Sequence, residues 1–92
     1  MITIFIPTPL RKFTQNQSQI NLTASDVYGA INSLATEFPD LRKHLFDTDQ
    51  QVRRFVRIYV GDEDISQLQG TTTRLKSGDA VSIIPAIAGG IK

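Results

Sequence analysis

A chain of 92 residues, 40% of them hydrophobic, has the size for one domain around one core, and a second domain does not fit. The absence of cysteine excludes disulfides, thiolate metal sites and cysteine nucleophiles, so packing must supply the stability. Ten basic residues against nine acidic ones leave a net charge of +1 with no long run of either sign, which argues against a nucleic-acid partner.

The opening MITIFIPTPL is apolar only briefly and is cut by Pro7 and Pro9, so it lacks the length and basic flank of a signal peptide or membrane span. A cytoplasmic protein with no membrane partner is the expectation. Ile2, Ile4 and Ile6 alternate with Thr3 and Phe5, a period of two that predicts a strand ended by Pro7. Residues 17–22 follow the polar Thr14-Gln15-Asn16, alternate through Ile20 and Leu22, and predict a weaker second strand forming a hairpin with the first. From Ser25 the period changes. Val27, Ala30, Ile31, Leu34, Ala35 and Phe38 fall on one stripe of a helix. Ser25 or Asp26 can cap its first amides, and Pro39 sets its stop near Glu37 by disfavouring helical geometry in the residue before it. Gly29 inside this helix costs about 1 kcal/mol relative to alanine, which implies a close-packing reason for it.

Residues 40–53 are polar and charged, with Leu41, Leu45 and Phe46 interspersed, and read as irregular or as one short helical turn. Strand chemistry returns at residues 55–60. Val56, Ile58 and Val60 share the face that should meet the helix, and Phe55, Arg57 and Tyr59 share the other. Gly61-Asp62 makes a turn, Ile65 and Leu68 anchor a short connection, and Ser77-Gly78-Asp79 turns the chain into a strand over residues 80–84 closed by Pro85. Strand, strand, helix, strand, connection, strand in so short a chain predicts an α+β domain with a mixed sheet of four or five strands wrapped on one main helix.

Catalytic chemistry is hard to find. His44 is the only histidine, stands without a partner pattern, and reads as an ordinary surface or helix-turn residue. One histidine makes no metal site. Asp62-Glu63-Asp64 lacks the glycine and spaced oxygens of a calcium loop and reads as a solvated turn, and the scattered glycines form no phosphate cradle. Arg53, Arg54 and Arg57 form a local basic cluster, a solvated face that could steer an acidic partner.

The chain closes with a more informative stretch. Leu75, the Gly78-Asp79 turn, the aliphatic Val81-Ser82-Ile83-Ile84, Pro85, and then Ala86-Ile87-Ala88-Gly89-Gly90 resemble the closing signature of the MoaD/ThiS family of ubiquitin-like sulfur carriers. Pro7-Thr8, Leu10-Arg11, Arg54-Phe55-Val56, Ile58-Tyr59-Val60 and Glu63-Asp64 extend the resemblance over nearly the whole chain. Within the family they resemble the CysO-type branch, which serves thiocarboxylate-dependent cysteine synthesis. The resemblance implies a β-grasp (ubiquitin-like) domain over residues 1–85 and a flexible tail over residues 86–92.

It also implies a reagent rather than an enzyme, with no bound cofactor. The carboxylate of Gly90 would be adenylated with ATP by an activating adenylyltransferase/sulfurtransferase partner and converted to a thiocarboxylate. Ala86, Ile87, Ala88, Gly89 and Gly90 would insert into the partner's site, since residues without bulk let the backbone approach closely. Residues 85–90 can extend up to about 20 Å at roughly 3.3 Å per residue, enough to enter a cleft while the body docks outside. Ile91 and Lys92 follow the diglycine, so the carbonyl of Gly90 is held in an amide, and a processing metallopeptidase would have to cut between Gly90 and Ile91. The alternative is that the two residues are a harmless extension. Sulfur would pass to a PLP-dependent cysteine synthase or, alternatively, to the large subunit of molybdopterin synthase. A ubiquitin-like interaction or conjugation module that carries no sulfur is the reading from another class. Phe55 and Tyr59, on the open sheet face beside the last strand, are the candidate partner-docking residues, unless residues 40–53 cover Phe55.

Overall fold

The computed structural model describes residues 1–53 and 56–85. Five strands form one mixed sheet: β1 (Ile2–Phe5), β2 (Gln19–Leu22), β3 (Val56–Val60), β4 (Glu63–Asp64) and β5 (Ala80–Pro85), in the spatial order β2-β1-β5-β3-β4. β5 runs parallel to β1 and antiparallel to β3, while β2 and β4 close the edges as antiparallel partners of β1 and β3. Helix α1 (Val27–Glu37) follows β2, and its buried stripe joins the inward residues of the sheet in one core. This is the β-grasp arrangement that the family resemblance implies. Among the described residues, no helix is long and apolar enough to cross a membrane.

Strand alternation sorts the side chains. Ile2 and Ile4 of β1, Ile58 of β3, and Val81 and Ile83 of β5 are buried against Ala30, Ile31, Leu34 and Ala35 of α1 or their neighbours, all at 2% exposure or less. Val60 is only partly buried at the rim of that core. The hairpin expected between the first two strands has a long connection rather than a tight turn. A 3₁₀ helix (Thr8–Phe13) carries Pro9 in its first turn, where a missing N–H costs little, and buries Leu10. The fully buried Thr14 satisfies its hydroxyl against the carbonyls of Arg11 and Gln17 at 3.1 and 3.0 Å.

Asp26 caps α1, its Oδ1 accepting from the Gly29 N–H at 2.7 Å. A Cβ on Gly29 would stand 2.9 Å from that same oxygen, so the glycine leaves room for the cap. The close contact inferred from the sequence is thus with the helix's own capping carboxylate.

Residues 40–53 depart from expectation. Pro39 does not merely stop α1; it opens a second helix, α2 (Pro39–Leu45), with Asp40 in the first turn and Arg42, Lys43 and His44 in the last. Proline at the first position loses no helical bond, and the charges complement the helix dipole. Leu41 and Leu45, one turn apart, are fully buried. The Arg42 guanidinium lies over the Phe46 ring at 5.2 Å and donates to Asn32 and Thr36 of α1, each at 3.1 Å, locking the two helices together. Asp62-Glu63-Asp64 also differs from a plain turn. Gly61, at φ 63°, reverses the chain so that Glu63 and Asp64 pair with Val60 and Tyr59 as edge strand β4. Of the two expected connection anchors, Ile65 is buried and Leu68 is 37% exposed.

His44 stacks on Phe13 with ring centroids 4.5 Å apart, bringing α2 against the 3₁₀ connection. Burial, then the nearby Lys43, Lys12 and Arg53 cations, push its pKa below the ordinary 6.5, with Asp40 opposing. The folded state therefore binds this proton less readily than the unfolded chain. Its contribution to stability is present above pH 6.5 and is lost as the pH falls through that value toward the lowered folded pKa. A His44→Gln variant should show a flatter stability profile between neutrality and mild acid in urea titrations; a profile with the wild-type slope would remove His44 as its cause. Leu41→Ala should cost about 2–5 kcal/mol in urea unfolding. A loss below about 1 kcal/mol, the range of surface substitutions, would mean that α2 is not part of the core.

Candidate functional site at the open sheet face

α1 covers one face of the sheet, and the other carries the outward side chains. In register they form a row across all five strands: Gln19, Phe5, Ser82, Tyr59 and Asp64. Beside it, Ile84 of β5 pairs with Arg57 of β3, and on the other flank Thr3 lies between Asn21 and Ala80. Phe5 and Ile84 are 42% and 48% exposed, unusual for large apolar residues in a small domain. Tyr59 is half-buried. Phe5, Tyr59 and Ile84 thus lie on three neighbouring strands and one face.

The last residue of β5, Pro85, pairs with Val56, so the chain reaches residue 86 from the central strand of the sheet. β5 is held from both sides and entered through a well-made turn. Gly78 adopts φ 94°, the Asp79 carboxylate accepts from the Lys76 N–H at 2.9 Å, and the Gly78 N–H donates to the Met1 carbonyl at 2.9 Å. The root of the tail is a fixed point on the body. Ala86, Ile87, Ala88, Gly89, Gly90 and Ile91, named from the sequence as the inserting and processed residues, lie outside the described residues, as do Arg54 and Phe55.

Of the two docking residues expected from the sequence, Tyr59 stands on the open face as anticipated. Phe5 and Ile84 were not named as docking residues, although alternation in β1 already set Phe5 opposite Ile4 and Ile6. The adjacent Ile83-Ile84 pair gives no such signal, because two neighbouring isoleucines do not say which one points inward.

Charges near the face are few. Arg57 Nη1 donates to Asp64 Oδ2 at 3.3 Å, with the arginine side chain 59% exposed and the aspartate 16%. The Ser66 backbone N–H and then its hydroxyl hold the Asp64 carboxyl below the usual carboxylate range against desolvation, with Arg57 adding a lesser push in the same direction. Arg53 turns toward α2, where its Nε donates to the Lys43 carbonyl at 2.8 Å. Among the described residues, no three His, Cys, Asp or Glu side chains gather to hold a metal ion.

Comparison with known proteins agrees with this architecture. The model of the ThiS family matches residues 4–90, so the match ends on the second glycine. The chain is 35% identical over 91 residues to the sulfur carrier protein CysO of Mycobacterium tuberculosis, covering 97% of this chain and 98% of that protein. It is 35% identical over 68 residues to small archaeal modifier protein 3 of Haloferax volcanii, covering 74% of this chain and 70% of that one. Among solved structures, it superposes on a chain of the Amycolatopsis orientalis BexX/CysO complex with a TM-score of 0.87 and 30% identity, covering 98% and 100% of the two chains. The chain therefore belongs to the ThiS family of small sulfur carriers, which are carriers and not catalysts.

Proposed function

We propose that the chain carries sulfur for cysteine biosynthesis, with Gly90 as the loaded residue. The observation that carries the reading is the end of the family match at Gly90 with Ile91-Lys92 beyond it, on a chain whose central strand ends at Pro85, five residues before that glycine. In the full-length chain the Gly90 carbonyl is part of an amide and has no carboxylate to activate. Hydrolysis of the Gly90–Ile91 bond by a metallopeptidase would create one. That carboxylate would attack the α-phosphorus of ATP in the activating enzyme, releasing pyrophosphate, and a sulfur donor would then displace AMP to leave a thiocarboxylate. Likeness to CysO along nearly the full length supports an O-activated serine on a PLP-dependent cysteine synthase as acceptor, with metallopeptidase release of the cysteine adduct as the last step. The Amycolatopsis BexX/CysO complex supports a body that docks on protein partners, and Phe5, Tyr59 and Ile84 are the surface offered here.

The likeness to an archaeal modifier protein favours a second reading, in which the trimmed Gly90 is joined to lysines of other proteins. Both readings need the same first cut and diverge at the acceptor. Intact-mass and peptide analysis of protein from its native cells should show a form ending at Gly90. Only full-length chain, with the peptidase and activating enzyme expressed, would defeat the trimming step. Isopeptides carrying the Gly89-Gly90 remnant on other proteins would favour the modifier reading instead.

A further inference from the structure

Charge on the open face is confined to one place. Of the outward positions on the five strands, only Arg57 and Asp64 are charged. The two charges are not equally offered. Asp64 is largely covered, and one of its oxygens accepts from the Ser66 N–H at 2.9 Å as the cap of the following 3₁₀ turn. Arg57 is mostly exposed and, among the described residues, commits one guanidinium nitrogen to Asp64. A guanidinium has five N–H donors in a fixed fork, so most of its hydrogen-bonding capacity faces outward.

Asp64 therefore acts as a recessed tether that holds a protruding cation beside Ile84 and Tyr59. Such a cation amid exposed apolar groups matches a carboxylate set beside an apolar patch; a partner with a basic or wholly apolar surface would leave it unpaired or repelled.

We propose that Arg57 is a specificity determinant of the open face, receiving a carboxylate from the enzyme that activates the tail while Phe5, Tyr59 and Ile84 make the apolar contact around it. This rests on the reading that the activating enzyme docks on this face. Charge fixes the register of docking and speeds the encounter; apolar burial holds the complex. Register matters because a tail of fixed reach must meet a reacting phosphorus atom.

The test is titration calorimetry of the protein trimmed to Gly90 against the activating enzyme of the same organism, at two salt concentrations, with circular dichroism melts of every variant. Arg57→Gln should weaken binding about tenfold and reduce its salt dependence, with Arg57→Glu weaker still and Arg57→Lys recovering part of the loss. Lys12→Glu, on the connection remote from the face, should stay within about twofold as a control for net charge. Arg57→Gln keeps the test open should Arg57→Glu, which places two carboxylates together, fail to fold. Wild-type affinity in Arg57→Gln and Arg57→Glu, or an equal loss in Lys12→Glu, would overturn the proposal. If Tyr59→Ala alone weakens binding, the face still docks the enzyme but Arg57 does not select it. If neither Tyr59→Ala nor the Arg57 variants lose affinity, or if the trimmed wild type does not bind at all, the docking reading falls with the proposal.

Discussion

The central strand β5 is the constraint on which the rest depends. It is hydrogen-bonded along both edges, to β1 in parallel and β3 in antiparallel, and its alternation divides the molecule in two. Val81 and Ile83 enter the core under α1, while Ser82 and Ile84 go to the open face. A slip of one residue would drive Ser82 into the core and expose the valine, so register is strongly specified. The same register fixes where the tail begins and which apolar residues stand beside it. Core packing and the presentation of the terminus are thus one geometric fact.

Much of this fold is legible in the residues, and the unread parts share a cause. β1, α1 and β3 each carry enough apolar residues to declare a period, and β5 is marked by the turn before it and the proline that closes it. α2 does not, since seven residues with Leu41 and Leu45 as their buried pair make no stripe, and its real signals are Pro39 at the start and charges ordered along the dipole. β4 is two acidic residues, which no propensity would place in a strand. Pairing with β3 after the Gly61 turn makes it one, a tertiary decision that local sequence does not record. Gly29 shows the reverse case. A helix-weakening residue is visible in the sequence as an anomaly, and its reason, the Asp26 carboxylate at the cap, is visible only in three dimensions.

The candidate site divides the same way. The diglycine, its proline and the Gly-Asp turn are local features that a linear reading can assemble, and the family match ends where that reading places the reactive carbonyl. The open face is not local. Phe5, Tyr59 and Ile84 come from the beginning, the middle and the end of the chain, and only the β1-β5-β3 order makes them neighbours. Arg57 illustrates why a cluster of charges in sequence says little. It lies four residues from Arg53, yet one guanidinium turns to a carboxylate on the open face and the other to a helix carbonyl.

A carrier of this kind separates chemistry from recognition. In the proposed reading the body contributes a stable base and a contact surface, and partners contribute ATP, the sulfur donor and the acceptor. The most direct measurement is to incubate protein ending at Gly90 with ATP, the activating enzyme and a sulfur source, and then to track its intact mass. Replacement of one carboxylate oxygen by sulfur on the C-terminal peptide is the expected result. A chain whose mass never changes while ATP and sulfide are present, or one that ends only in lysine conjugates, would contradict the assignment of Gly90 as a sulfur-bearing terminus.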